Sequence, residues 1–88
     1  MRVPLGRLVA TPGALEVLRR NGMDVFVLVQ RHQQGDWGDL DPVDVQSNED
    51  AMRHGLRVLS SYKLGSEKIW IITEADRSST CVLLPSDY

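Results

Sequence analysis

The apolar positions of this chain follow two periods. As far as Gly55 they recur three and four residues apart; beyond it they alternate or run in short blocks. The first spacing lines one stripe of a helix, and the second lines the faces of strands. Ahead of both, residues 3 to 10, VPLGRLVA, predict a first strand. Pro4 and Gly6 weaken it. Proline donates no ladder hydrogen bond, so this strand should lie at a sheet edge or start late.

Three helix starts follow. Thr11 can cap through its hydroxyl, and Pro12 gives up an amide that would have no partner in the first turn. This helix should run from about residue 12 to 20, bury Ala14, Leu15 and Leu18, and stop at Asn21-Gly22. Asp24 caps a second helix through about Gln34, with Val25, Phe26, Leu28, Val29 and His32 on its apolar face and Gly35 as its stop. Asp41-Pro42 repeats the start signal, and Asp44 in the first turn suits the helix dipole. The third helix should reach about His54, with a break near Ser47, and end at Gly55.

The remaining segments predict strands. LRVLSSYKL and KIWIITEA flank the turn Gly65-Ser66, and DRSS leads into TCVLLP. Ile69-Trp70-Ile71-Ile72 is apolar on both faces, which predicts a central strand with Trp70 in the core. The order β-α-α-α-β-β-β predicts a single α+β domain over residues 1–88, with the helices packed on one face of a mostly antiparallel four-stranded sheet.

Composition narrows the function classes. The chain has 88 residues and a formal net charge of −2, which gives no global case for direct nucleic-acid binding. Its longest aliphatic and aromatic run, Val25 to Val29, is far short of the roughly 20 residues a membrane helix needs. The N-terminal stretch does not read as a signal peptide, and the lone Cys81 allows no intrachain disulfide, so a cytoplasmic protein is expected. The charge is unevenly spread. Asp36, Asp39, Asp41, Asp44, Glu49 and Asp50 follow one another with no Lys or Arg between them.

Could those residues carry chemistry? Asp36, Asp39, Asp41 and Asp44 offer oxygen ligands, but Pro42-Val43 falls where a calcium loop wants ligands and glycine. His32, His54 and Cys81 make no zinc spacing. No metal or cofactor is expected. His32 and Asp36 would share a helix face as base and orienting carboxylate, but Gly35 between them ends the helix. Ser60, Ser61 and Cys81 sit in no nucleophile motif, so no catalytic residue is assigned. Trp37 either plugs the core or stands out as a partner's anchor. In TEADR, Asp76 should bond its own loop, and Arg77 should pair with Glu74 or with an acid of residues 36–50.

GDWGDLDPVD, then NEDAMRHGLRVLSSY, then IWIITEADRSSTCVLLPSDY together resemble a family of small mobile-element proteins, often labelled "plasmid-related protein" or type I restriction subunit M. The resemblance covers about residues 11 to 88. It implies a phage, plasmid or integrated-island context and supplies no reaction. The restriction label does not suit the residues, because a methyltransferase subunit needs a glycine-rich cofactor loop and a much longer chain.

Residues and resemblance together lead to the expectation of a non-enzymatic protein-binding protein. Its acidic face would hold Asp36, Trp37, Asp39, Glu49 and Asp50. The partner would be a nucleic-acid-binding host defence protein, such as a CRISPR or restriction complex, whose basic groove attracts acids. One alternative is a small RNase-like toxin using Arg57, Lys63, Lys68 and Arg77. Another is a homodimeric accessory protein pairing through Leu83-Leu84-Pro85.

Overall fold

Each of the three side chains expected to cap a helix does so. In the computed structural model, which describes residues 2–88, α1 spans Pro12–Arg20, α2 Val25–Gln33 and α3 Pro42–His54. The Thr11 hydroxyl accepts from Ala14 N at 3.1 Å, the Asp24 carboxylate from Phe26 N at 2.9 Å, and the Asp41 carboxylate from Asp44 N at 3.0 Å. A cap of this kind contributes about 1 kcal/mol. The stops also fall where expected. Gly22, Gly35 and Gly55 all take the left-handed conformation.

Details inside the helices differ from expectation. Val17, not Leu15, joins Ala14 and Leu18 in the core, because residues 14, 17 and 18 share one stripe and Leu15 lies off it. Phe26 likewise points to solvent, while Leu28, Val29 and His32 are buried. No break interrupts α3 at Ser47, whose hydroxyl bonds back to Val43 O at 3.1 Å and leaves the helix intact.

Four strands form one mixed sheet in the order β1-β4-β3-β2: β1 is Arg7–Ala10, β2 Val58–Leu64, β3 Glu67–Thr73 and β4 Ser79–Leu83. β2, β3 and β4 make an antiparallel meander, and β1 joins β4 in parallel. The first strand thus lies at an edge and starts late, clear of Pro4 and Gly6. This is the α+β class expected. The order corrects one expectation. β4 lies between β1 and β3, so Leu83 ends an inner strand and not the sheet edge that was expected to pair with a second copy. The edge without a partner is that of β1.

α1 and α2 cover one face of the sheet. Ala14, Val17, Leu18, Leu28 and Val29 pack there on Tyr62, Leu64, Ile69, Ile71 and Val82. A second, smaller cluster joins Val3, Trp37, Ala51 and Val58 under α3. The opposite face carries no α-helix among the described residues, only a single 3-10 turn, Pro85–Asp87, that leads Tyr88 onto it. It presents Leu59, Ser61 and Lys63 of β2, Lys68, Trp70 and Ile72 of β3, Cys81 and Leu83 of β4, and Val9 of β1, as the pairing register requires. Trp70 is therefore half-buried on the helix-free face and not in the core as expected. Alternation sends Ile69 and Ile71 to the helices and Trp70 away from them.

α3 does not lie on the same face as its neighbours; it runs along the outer edge of β2. Asn48 accepts from Leu59 N at 3.1 Å and donates to Leu59 O at 2.6 Å, bonding a strand edge as another strand would. Two residues on, Ser61 N donates to Trp37 O at 3.1 Å and Asp39 N to Ser61 O at 2.6 Å, a parallel bridge centred on Gly38. Two further on, Lys63 N donates to the Asp39 carboxylate at 2.8 Å. Every outward amide of β2 from Leu59 to Lys63 has a partner. Exposed strand edges invite pairing with other chains, and this one is closed.

Candidate functional site

The acidic stretch is occupied mainly in holding this joint together. Arg31 Nε bonds Asp36 at 2.7 Å, Gly38 N donates to the same carboxylate at 3.1 Å, and the Tyr62 hydroxyl donates to Asp36 O at 2.7 Å. Arg31 holds the Asp36 carboxyl below its usual range. Arg2 grips Glu49 with two bonds of 2.6 and 3.1 Å, and Trp37 Nε1 donates to Glu49 at 3.0 Å; both lower the Glu49 pKa. Asp50 accepts from Gln46 at 3.1 Å and lies 3.6 Å from Arg53. Asp39 bonds the β2 edge. Trp37 is buried, so of its two expected roles the core plug is the one it fills.

Of the residues expected to form an acidic face, then, Asp36, Glu49 and Asp50 have arginine partners and Trp37 is inside. Asp39, Asp41 and Asp44 remain exposed without a cation. Of the four aspartates weighed as metal ligands, Asp36, Asp39 and Asp41 turn to separate partners, and no three His, Cys, Asp or Glu side chains converge among the described residues. Arg77 also departs from expectation. It meets no carboxylate but donates to Leu56 O at 2.6 Å, Glu74 O at 3.1 Å and Ala51 O at 3.3 Å, tying the β3–β4 turn to the end of α3. The Asp76 carboxylate accepts from Ser78 N at 3.0 Å, the loop bond anticipated.

A buried polar chain was not foreseen. His32, with no exposed surface, has Nδ1 2.6 Å from Ser60 Oγ and Nε2 2.8 Å from Thr73 Oγ1. Thr73 Oγ1 is 2.7 Å from Thr80 Oγ1, and Thr80 donates to Leu5 O at 2.8 Å. A carbonyl only accepts, so the directions as far as the ring follow from that end. Thr80 gives its proton to Leu5, Thr73 to Thr80, and His32 Nε2–H to Thr73. Burial pushes the ring's pKa down to about 4, so near neutral pH it is uncharged and its bare Nδ1 accepts from Ser60. Ser60 and His32 resemble a nucleophile and base, but both are sealed in the core and Thr73 stands where an orienting carboxylate would be. This pair is scaffold. A polar residue on the apolar stripe of α2 was the only sign of it in the sequence.

The helix-free face is different in character. Lys63 and Lys68 oppose each other across β2 and β3, both exposed, and neither forms an ion pair among the described residues. Next comes Trp70, whose ring meets the Tyr88 ring edge-on at 6.1 Å and 68°. The Arg57 guanidinium lies 5.1 Å from the Tyr88 ring centre. Arg7 is exposed on the same face of β1. Sequence reasoning named Arg57, Lys63 and Lys68 only as a loose basic patch. The register that puts them beside the two aromatic rings depends on strand pairing.

Among the described residues, no pocket opens in the surface and no helix is long and apolar enough to cross a membrane. No protein-family model matches the chain, and no curated protein or solved structure shows significant similarity to it.

Proposed function

We propose that this protein is a non-enzymatic binding protein whose working surface is the helix-free face of the sheet and whose ligand is an anionic macromolecule. The observation that carries this is the Lys63–Lys68 pair. Like charges directly opposed across strands destabilise a sheet. The Asp39 carboxylate reaches the Lys63 main-chain N–H, but among the described residues no carboxylate pairs with either ammonium, whereas a bound anion would. The other cations point the same way. Arg2, Arg19, Arg20, Arg31 and Arg53 each meet a carboxylate, and Arg77 meets carbonyls. Arg7, Arg57, Lys63 and Lys68 meet none, and all four lie on or beside this face.

The test is retention on immobilised heparin against rising salt. The wild-type protein should be held at low salt despite its net negative charge, and Lys63→Glu with Lys68→Glu should flow through. Passage of the wild type at low salt, or equal elution of both, would remove this reading.

Asp39, Asp41 and Asp44 support a second reading, because they form an exposed acidic rim with no cation partner. That rim suits a basic groove on a host nucleic-acid-binding protein, the partner that a mobile-element origin would imply. Retention on immobilised polylysine, lost when the three are changed to Asn, would favour it.

A further inference from the structure

We infer that the ligand of the helix-free face is single-stranded nucleic acid, held by its phosphates at the lysine pair and by stacking of its bases on Trp70 and Tyr88. This rests on reading that face as anion-binding, and it adds the chemistry of the aromatic pair. Single strands are bound without sequence preference by surfaces that join a positive track to exposed ring planes, since every base has a π-face. This face has both in sequence along β3. Lys68 and its opposite Lys63 stand at one end, Trp70 comes two residues on, and Tyr88 lies between Trp70 and Arg57 toward the other end. From Lys68 to Glu74 the strand spans about 20 Å, enough for a few extended nucleotides.

Tyr88 is 67 % exposed. The Arg57 guanidinium lies over one plane of the ring and leaves the other for a base, and Arg57 can pair with a phosphate without leaving the ring. Four acids lie nearby. At the lysine end the Asp39 carboxylate accepts from Lys63 N at 2.8 Å and Glu67 pairs with Arg20 at 3.2 Å. Asp87 is engaged by the Thr11 hydroxyl at 2.7 Å and by Leu84 N at 3.0 Å. Glu74 is exposed at the end of β3 and weakens the positive field there, so the lysine end should carry the larger share of phosphate binding. A duplex keeps its bases stacked on one another and offers no ring plane to this face. An acidic polypeptide would use the lysines and leave the aromatic pair without a role.

The experiment is anisotropy titration of a labelled short oligothymidine, with a duplex of equal length, heparin and polyglutamate as competitors. The oligothymidine should bind more tightly than the duplex and quench tryptophan emission. Tyr88→Ala, at an exposed position, should weaken binding roughly five- to a hundredfold, the range for one lost stacked base. Its unfolding midpoint should stay near that of the wild type. Lys63→Glu with Lys68→Glu should weaken binding and flatten its salt dependence. If duplex and heparin compete as well as the single strand and Tyr88→Ala changes nothing, stacking is refuted while the anion-binding face stands. Preferential binding of polyglutamate would overturn the inference in favour of an acidic protein. Binding of none of these would end both.

Discussion

Asn48 bonds the main chain of Leu59 at both its amide and its carbonyl, so that a helix side chain stands in for the missing strand beside β2. Removing that amide leaves two strand groups without partners. Asn48→Ala should cost about 1–3 kcal/mol. Asn48→Asp should be no better, because a carboxylate still accepts from Leu59 N but faces Leu59 O without a proton to give. Urea unfolding of the three proteins at neutral pH measures this, and an alanine variant as stable as the wild type would show that α3 holds the edge by packing alone.

His32 makes stability depend on pH in a defined window. Its folded pKa is lowered from 6.5 to about 4, so between those values the unfolded chain binds a proton that the native chain refuses. The contribution of the neutral ring is therefore complete above about pH 6.5 and is lost as pH falls toward 4, about 3 kcal/mol in all. The loss has a structural cause, since the ring is buried away from water and lies near the Arg77 cation, and both disfavour its charged form. Subtracting the pH profile of His32→Gln from that of the wild type isolates this component from the carboxylates. A difference that stays flat from pH 7 to 4.5 would mean that the folded ring takes up its proton at the same pH as the unfolded one.

The two tryptophans should separate cleanly. Trp37 is buried between α3 and the sheet and donates to Glu49, so Trp37→Ala should cost about 3–5 kcal/mol. Trp70 is half-buried against Tyr88, and Trp70→Ala should cost only about 1–2 kcal/mol. Thermal or urea unfolding of both variants checks the order, and equal losses would place Trp70 in the core after all.

Gly38 and Gly22 both have positive φ, at 77° and 61°, yet they should respond differently to alanine. A Cβ at Gly22 meets nothing within 4 Å, so Gly22→Ala carries only the left-handed penalty of about 1–2 kcal/mol. A Cβ at Gly38 would overlap the Ser61 carbonyl oxygen and press on the Tyr62 ring. Gly38→Ala should break the bridge to β2 and cost several times more. Amide hydrogen exchange at Ser61 is the local readout, expected to quicken in Gly38→Ala and to stay slow in Gly22→Ala.

These residues also show which features local sequence could reveal. Caps and stops depend on one or two neighbours, so Thr11, Asp24, Asp41 and the glycines were readable directly. The class and strand count followed from period alone. What escaped depended on partners far along the chain. Asp36 and Glu49 looked like surplus charge because Arg31 and Arg2 are brought to them only by folding, 5 and 47 residues away in sequence. Trp70 looked like core because a run of four apolar residues does not show which face lacks helices. A net charge of −2 hid the basic face for a similar reason, since charge totals ignore which cations the fold has already paired.

Pairing of β1 with β4 brings residues 7–10 beside 79–82, and Thr80 reaches back to Leu5. These are among the most distant contacts along the chain, and they close the longest loop. The strand pairings of the meander and the Gly38 bridge lie within residues 31 to 83, but β1 has no strand to pair with until β4 exists. During synthesis the first strand therefore waits, its edge amides unpaired, until residue 82 has emerged. Contacts of such long separation slow folding. Pro4, just ahead of β1, suits that wait, because a proline beside an unpaired strand hinders its pairing with a neighbouring chain.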